Sequence, residues 1–275
     1  MVIERLELEV VIADIDDTLA DCLKYYRAVN LMNTRILQRN LFHLDLGDDD
    51  VKPVVKRISD ELELSLGRSR KRYQETWRRV YEHFLKKAIK GAEVDENSPM
   101  FKEIIANTEM PYARETYEKN GLMPGVEGAL DYLVSEGVRL CLLTRETLFD
   151  GEPSTQDLKI DALGLRQENP DGTRRWFEDR YTKIVPEKTV GDFEELLGGV
   201  APERAATIGD SWQDIWPGVD RLNMWGFHVY DPEGWNPGTP PEAFHNHPRI
   251  KRIPEFALMP EIYPWLNEIF MYRQE

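Results

Sequence analysis

Short apolar runs that end at polar residues recur along the chain and predict the strands of a buried sheet. The runs that we interpret as strands cover residues 8–13, 138–143, 205–208 and 226–230. Segments with apolar residues at helical spacing lie between them, at about 126–136 and 189–197. This strand–helix alternation predicts a doubly wound α/β fold, in which helices cover both faces of a parallel sheet.

The block from about Leu19 to about Asn120 has no strand pattern and is expected to be mostly helical. Its helical period is carried by Tyr73, Trp77, Val80, Tyr81, Phe84, Leu85 and Ala88. We therefore predict two domains. An α/β core is formed by residues 1–19 and 121–275, and a helical cap, residues 20–120, is inserted after the first strand.

Two further segments carry weaker patterns. Residues 145–187 are long and polar, with a turn signal at 169–172, and no strand or helix is predicted within them. The tail from 231 to 260 is rich in proline and is expected to wrap the surface before a last helix at about 261–273.

Composition narrows the class of protein. Lys and Arg number 35 and Asp and Glu 50, and the formal net charge of −15 disfavours nucleic acid and anionic membrane as partners. No apolar run reaches the length of a membrane span, and acidic residues at positions 4, 7 and 9 argue against a signal peptide. Two cysteines, Cys22 and Cys141, do not make a disulfide framework. A soluble, cytoplasmic protein is expected.

Polar side chains that could carry chemistry follow the predicted strands. Asp14, Asp16 and Asp17 come directly after the first strand, and clustered carboxylates repel one another unless a cation or a proton joins them. The tips of parallel strands meet at one edge of a sheet, which could bring Asp210 beside Asp14 and Asp16. Oxygen ligands of this kind suit Mg²⁺, and one carboxylate could attack phosphorus while another moves protons.

Four motifs together resemble the haloacid dehalogenase (HAD) superfamily. They are Asp14-x-Asp16-x-Thr18-Leu19, Leu142-Leu143-Thr144, Lys188, and Gly209-Asp210-Ser211-x-x-Asp214. Each motif alone is common, but their order and spacing over residues 8–230, apart from the helical insert, are specific. The resemblance implies a Rossmann-like core with a helical cap between the first and second motifs.

The resemblance also implies a role for each motif residue in phosphoryl transfer. Asp14 would be the nucleophile that forms an aspartyl-phosphate, and Asp16 would protonate the leaving alcohol and then activate water. Thr144 would hold a phosphoryl oxygen, and Lys188 would neutralise charge between Asp14 and the phosphoryl group. Lys183 is the alternative candidate for this lysine.

A Mg²⁺ site is implied by the same motifs. Asp14, the backbone carbonyl of Asp16 and Asp210 are expected as ligands, and Asp214 would support the site directly or indirectly. Asp17 is not a motif carboxylate and is interpreted as part of the loop.

Candidates for substrate binding lie beside the motifs. Thr144, Arg145 and Lys188 are expected at the phosphoryl group. Tyr25 and Tyr26 follow the first motif, where cap residues can face a substrate, although both also fit the core of a helix. The predicted helix at 68–90 is strongly basic, which fits a solvated helix face or, alternatively, a surface that attracts an anionic substrate or partner.

These motifs predict a Mg²⁺-dependent phosphatase that acts on a small phosphorylated metabolite. Haloacid dehalogenases lack the second carboxylate that Asp16 supplies here, which favours phosphoryl transfer to water. A phosphomutase of the same superfamily is the first alternative. A non-catalytic HAD-like module that binds a partner through the basic helix is the second. The motifs predict neither membrane association nor an oligomeric state.

Overall fold

The computed structural model describes residues 7–173, 175–231 and 239–266 of the 275-residue chain. These residues form two compact units. The α/β unit comprises the described parts of Met1–Asp21, Asn120–Arg145 and Gln156–Glu275. The helical unit comprises Cys22–Lys119 and Glu146–Thr155.

The described residues contain the following strands and helices. The strands are β1 (Val10–Ala13), β2 (Arg139–Arg145), β3 (Phe177–Val185), β4 (Ala205–Gly209), β5 (Trp225–Val229) and β6 (Ile250–Ile253). The helices are α1 (Leu23–Asn40), α2 (Asp48–Leu66), α3 (Arg70–Ala88), α4 (Pro99–Asn107), α5 (Arg114–Asn120), α6 (Val126–Ser135), α7 (Thr155–Ala162), α8 (Val190–Leu197), α9 (Trp212–Trp216) and α10 (Met259–Ile262).

The strands pair in parallel in a single sheet, whose order within the described residues is β3-β2-β1-β4-β5-β6. β1 lies between β2 and β4, and all four of its residues are buried because the sheet is covered on both faces. The strand order reverses at β1. In such sheets the crevice outside the carboxyl ends of the strands, at this reversal, is where ligands bind. The predicted doubly wound α/β fold is confirmed.

Two strands of this sheet were not predicted from the sequence. β3 and helix α7 lie within residues 145–187, where no element was expected, and β6 lies in the proline-rich tail. Both lie at the edges of the sheet that the described residues form, and apart from Phe177 and Ile253 their residues are partly buried or exposed. An edge strand needs no continuous apolar run, so the pattern that reveals the central strands is missing.

The other predicted elements of the core agree with the structure to within about two residues, as for the helix predicted at 126–136, which is α6. The helix predicted at 261–273 differs. The described part of this region contains α10 and a 3₁₀ turn over Tyr263–Trp265, and the remainder lies outside the described residues.

The helical unit has its own apolar core. On α3 the buried residues Trp77, Val80, Tyr81 and Phe84 recur at helical spacing, as predicted, and contact residues of α1, α2 and α4. α3 begins after Ser69, whose hydroxyl accepts a hydrogen bond from the Arg72 backbone N–H at 3.1 Å.

Residues 146–155 belong to the helical unit and not, as predicted, to the α/β core. The backbone N–H of Thr147 donates to the carbonyl of Arg68 at 2.8 Å, and the backbone N–H of Arg68 donates to Thr147 Oγ1 at 3.2 Å. Gly67 makes this close approach possible, because its φ is +54° and a Cβ there would collide with the Thr147 side chain.

Candidate active site

The loop after β1 is a tight turn that fixes the first two carboxylates at the sheet edge. The carbonyl of Ile15 accepts hydrogen bonds from the backbone N–H groups of Leu19 at 2.9 Å and Ala20 at 3.0 Å. Asp17 takes a positive φ of +56°, a conformation that Asp tolerates better than most residues. The Asp14 N–H donates to the carbonyl of Ile208 at 2.9 Å, which ties the start of this loop to β4.

Lys188 joins the nucleophile candidate to the last motif. Its ammonium lies 2.7 Å from Asp14 Oδ1 and 2.8 Å from Asp214 Oδ1, and all three side chains are buried. Lys188 precedes α8, which begins after the capping residue Thr189. The alternative candidate, Lys183, instead forms ion pairs with Asp192 at 2.9 Å and Glu195 at 2.6 Å.

Three carboxylates form a group that suits a metal ion. Asp14, Asp210 and Asp214 each place a carboxylate oxygen within 4.8 Å of the others. Asp210 follows β4, and its backbone carbonyl accepts a hydrogen bond from His228 Nε2 at 2.9 Å. Among the residues that the structure describes, none donates a hydrogen bond to the Asp210 carboxylate or pairs with it.

The pKa values of these three carboxyl groups are shifted in different directions. Burial raises the pKa of Asp14, and the attraction of Lys188 opposes this effect only in part. Burial and the neighbouring charges of Asp214 and Asp14 raise the pKa of Asp210 well above its ordinary value. Burial also acts to raise the pKa of Asp214, but the charges of Lys188 and Arg145 hold it below its ordinary value.

The donor set fits a hard divalent cation. All the available side-chain donors are carboxylate oxygens, which Mg²⁺ and Ca²⁺ prefer. A cation at this point would stabilise the ionised forms of Asp14 and Asp210, whose raised pKa values reflect burial and like charge. The Asp16 carboxylate is not part of the group, and the role of its backbone carbonyl as a ligand stays a prediction.

Asp16 is held by two residues that were not predicted. Lys159 Nζ lies 2.6 Å from Asp16 Oδ1, and Gln156 Nε2 donates to Asp16 Oδ2 at 3.0 Å. Both residues lie on α7, within the segment to which no element was assigned. The spacing of Gln156, Lys159, Ile160 and Leu163 is helical and could have revealed α7, although two of the four residues are polar.

The residues at the end of β2 take different positions. Thr144 is buried, and its backbone pairs with that of Ile184 on β3. The Arg145 guanidinium lies 3.2 Å from Ser211 Oγ and 3.4 Å from Asp214 Oδ1, and it also bonds to the Gln213 side chain. Arg145 therefore contacts the start of α9 and adds a second positive charge beside Asp214.

The two tyrosines proposed for substrate binding lie in the helical unit. Tyr25 is buried, with its ring 5.6 Å from the ring of Tyr117 in an edge-on contact. Tyr26 makes similar contacts with the rings of Tyr73 at 5.0 Å and Tyr112 at 6.1 Å. Tyr25 is therefore part of the aromatic packing of the helical unit, whereas a contact of either tyrosine with substrate stays a prediction.

Comparison with solved structures reveals the same fold. A haloacid dehalogenase-like family hydrolase from Xanthomonas campestris aligns with a TM-score of 0.64 and 19% identity, over 97% of this chain and 95% of that chain. A haloacid dehalogenase-like protein from Burkholderia xenovorans LB400 aligns with a TM-score of 0.53 and 13% identity, over 94% and 99%. Magnesium-bound YfnB from Bacillus subtilis aligns with a TM-score of 0.50 and 18% identity, over 95% and 99%. At these identities the likeness concerns the fold alone.

Sequence comparison identifies the family. No match is found among curated protein sequences. In the described residues, no helix has the length and hydropathy required to cross a membrane. The sequence model of the haloacid dehalogenase-like hydrolases matches residues 8–219, which include all four motifs. The chain belongs to the haloacid dehalogenase-like hydrolase family.

Proposed function

We propose that the protein is a Mg²⁺-dependent phosphatase that hydrolyses a small phosphate monoester through an aspartyl-phosphate on Asp14. The observation that carries the proposal is the pairing of two separate carboxylates with two separate lysines. Asp14 is buried against Lys188, and Asp16, two residues later, is held by Lys159. A haloacid dehalogenase has no use for a second carboxylate paired with a buried lysine, whereas a phosphatase needs one to move protons.

The metal would be held by Asp14, Asp210 and the backbone carbonyl of Asp16, with Asp214 beside them. When bound, Mg²⁺ would offset negative charge on the phosphoryl oxygens. Its coordination would also favour the ionised form of Asp14, which the nucleophile requires and which burial disfavours.

The side chains of this chain would perform the two chemical steps. An Asp14 carboxylate oxygen forms a bond to phosphorus while the bond from phosphorus to the alcohol oxygen breaks, and Asp16 gives that oxygen a proton. Water then attacks phosphorus, the bond to Asp14 breaks, and Asp16 takes the proton of the water. Lys188 neutralises charge on the phosphoryl group in both steps, and Thr144 offers its hydroxyl to a phosphoryl oxygen.

The two alternatives receive less support. A phosphomutase would transfer the phosphoryl group to a second hydroxyl, and no residue arrangement specific to that transfer is evident in the described residues. A partner-binding module would need free positive charge on α3. However, Arg78 and Arg79 pair with Glu75, and Lys86 pairs with Glu82, so much of this charge is neutralised locally.

The proposal is tested with a panel of phosphorylated metabolites assayed with and without Mg²⁺. We expect phosphate release that EDTA abolishes and that Asp14→Asn reduces by at least about 10³-fold, because the variant lacks the nucleophile. In water labelled with ¹⁸O, each released phosphate should contain one labelled oxygen. Full Mg²⁺-dependent activity in Asp14→Asn, or phosphate recovered only on a second hydroxyl, would overturn the proposal.

A further inference from the structure

Each oxygen of the Asp16 carboxylate accepts a hydrogen bond from a side chain of α7. Lys159 Nζ contacts Oδ1 at 2.6 Å, and Gln156 Nε2 donates to Oδ2 at 3.0 Å. The Lys159 side chain is only 2% exposed, whereas that of Asp16 is 33% exposed. The carboxylate is therefore anchored from the protein interior, while part of it remains open to solvent.

This anchor is unusual for the buried face of a helix. Gln156, Lys159 and Ile160 are buried residues of α7, at positions where apolar residues are the rule. Burying a lysine is expensive, and an apolar residue at such a position is often as stable or more stable. A buried lysine whose partner lies 143 positions away in the first motif is therefore difficult to explain by stability alone.

The geometry leaves Asp16 able to react. About a third of the Asp16 side chain is exposed, so its carboxylate is accessible to a water molecule. Because Lys159 and Gln156 hold different oxygens, the group cannot rotate about its terminal bond without losing a contact. The carboxylate oxygens are therefore held in fixed directions, as orientation for proton transfer requires.

Resting on the proposed phosphatase function, we infer that Lys159, assisted by Gln156, is a positioning residue that orients Asp16 to take a proton from the water that attacks the aspartyl-phosphate. In that step the water oxygen bonds to phosphorus, the bond from phosphorus to Asp14 breaks, and the proton moves to an Asp16 oxygen. Lys159 forms no bond to the reacting atoms. Its role differs from that of Lys188, which contacts Asp14 and Asp214.

The test compares the two chemical steps in Lys159→Met, which removes the ammonium and keeps a long apolar side chain. The probe is ³²P-labelled p-nitrophenyl phosphate, because nitrophenolate leaves with little help from an acid. Formation of the aspartyl-phosphate should then depend weakly on Asp16, while its hydrolysis should depend strongly on it. Acid quenching measures the labelled enzyme, and nitrophenolate release measures turnover.

We expect Lys159→Met to lower kcat by about 10- to 100-fold, the usual effect of a misplaced catalytic group. KM should fall with kcat, and the fraction of labelled enzyme in the steady state should rise. Lys159→Arg should recover part of kcat. The matched control is Lys183→Met, which removes a lysine paired with Asp192 and Glu195 in the same unit and should behave as wild type.

Other outcomes overturn the inference. A Lys159→Met variant with unchanged kinetics, or one in which turnover falls without a rise in labelled enzyme, would mean that the ion pair is only structural. If Lys159→Met does not fold, Gln156→Leu provides the same comparison with a milder change, and we expect about a 3- to 10-fold loss of kcat. A wild-type enzyme that neither releases nitrophenolate nor becomes labelled would overturn the proposed function, and the inference with it.

Discussion

At the scale of one residue, the ionised carboxylate of Asp210 destabilises the folded protein when no metal is bound. Its carboxylate is buried beside the charges of Asp214 and Asp14, and its pKa lies well above the ordinary value of 3.8. A raised folded-state pKa means that the folded protein binds the proton more tightly than the unfolded chain does. Ionisation therefore lowers the stability of the metal-free protein as the pH rises from about 3.8 toward the folded pKa.

Asp210→Asn should consequently stabilise the protein in EDTA. At neutral pH we expect a gain of about 0.5–2 kcal/mol in the free energy of unfolding, which is typical when a strained functional residue is replaced. The gain should disappear near pH 4, where the wild-type carboxyl holds its proton. Urea denaturation at both pH values measures it, with Asp220→Asn as the control. A gain of equal size at both pH values would contradict this account.

At the scale of elements, a glycine allows two segments that are far apart in sequence to pack closely within the helical unit. The turn at Gly67 precedes α3, and Thr147 lies in the segment that joins the helical unit after β2. Two hydrogen bonds link Arg68 to Thr147, and they require a backbone approach that a side chain at Gly67 would block.

Gly67→Ala should destabilise the protein by more than its backbone strain alone. The matched control is Gly91→Ala, since Gly91 has a φ of +79° but no heavy atom within 4 Å of an added Cβ. We expect about 1–2 kcal/mol of destabilisation for the control and about 1–3 kcal/mol more for Gly67→Ala, because of the collision. Thermal unfolding measures both. Equal losses of stability in the two variants would mean that residues 146–155 move away from the added methyl group without a loss in the free energy of unfolding.

Helices α3, α6 and α8 and the four central strands were predictable because their signals are local. Helical period identified α3 and α6, and continuous apolar runs identified β1, β2, β4 and β5. β3 and β6 were not predicted because an edge strand is only partly buried and lacks a continuous apolar run. α7 was not predicted because two of its buried positions, Gln156 and Lys159, are polar.

At the scale of the whole molecule, strand order assembles the site. β1 lies between β2 and β4, so the residues after all three strands gather at one edge of the sheet. The proposed metal ligands come from the β1 loop and from the segment after β4, nearly two hundred residues apart. Such a group exists only in the folded chain, and a metal that binds it stabilises the folded state.

Mg²⁺ should therefore raise the Tm of the protein. Above its Kd, each tenfold increase in free Mg²⁺ should add about 1.4 kcal/mol to the free energy of unfolding. Differential scanning calorimetry measures the shift, with NaCl at matched ionic strength as the control. Asp14→Asn and Asp210→Asn should lose most of the response. An undiminished response in both variants would place the metal elsewhere.

The sequence by itself determined the family and the order of the motif residues, because these depend on residue type and spacing along the chain. Only the tertiary structure decided how the charges are paired. It assigned Lys188 and not Lys183 to Asp14, turned Arg145 toward Asp214, and brought Lys159 and Gln156 to Asp16. These pairings depend on the register of strands and on the face that α7 buries. Contacts between residues more than one hundred positions apart leave no periodic signal in the sequence, which is why the partners of Asp16 could not be predicted from it.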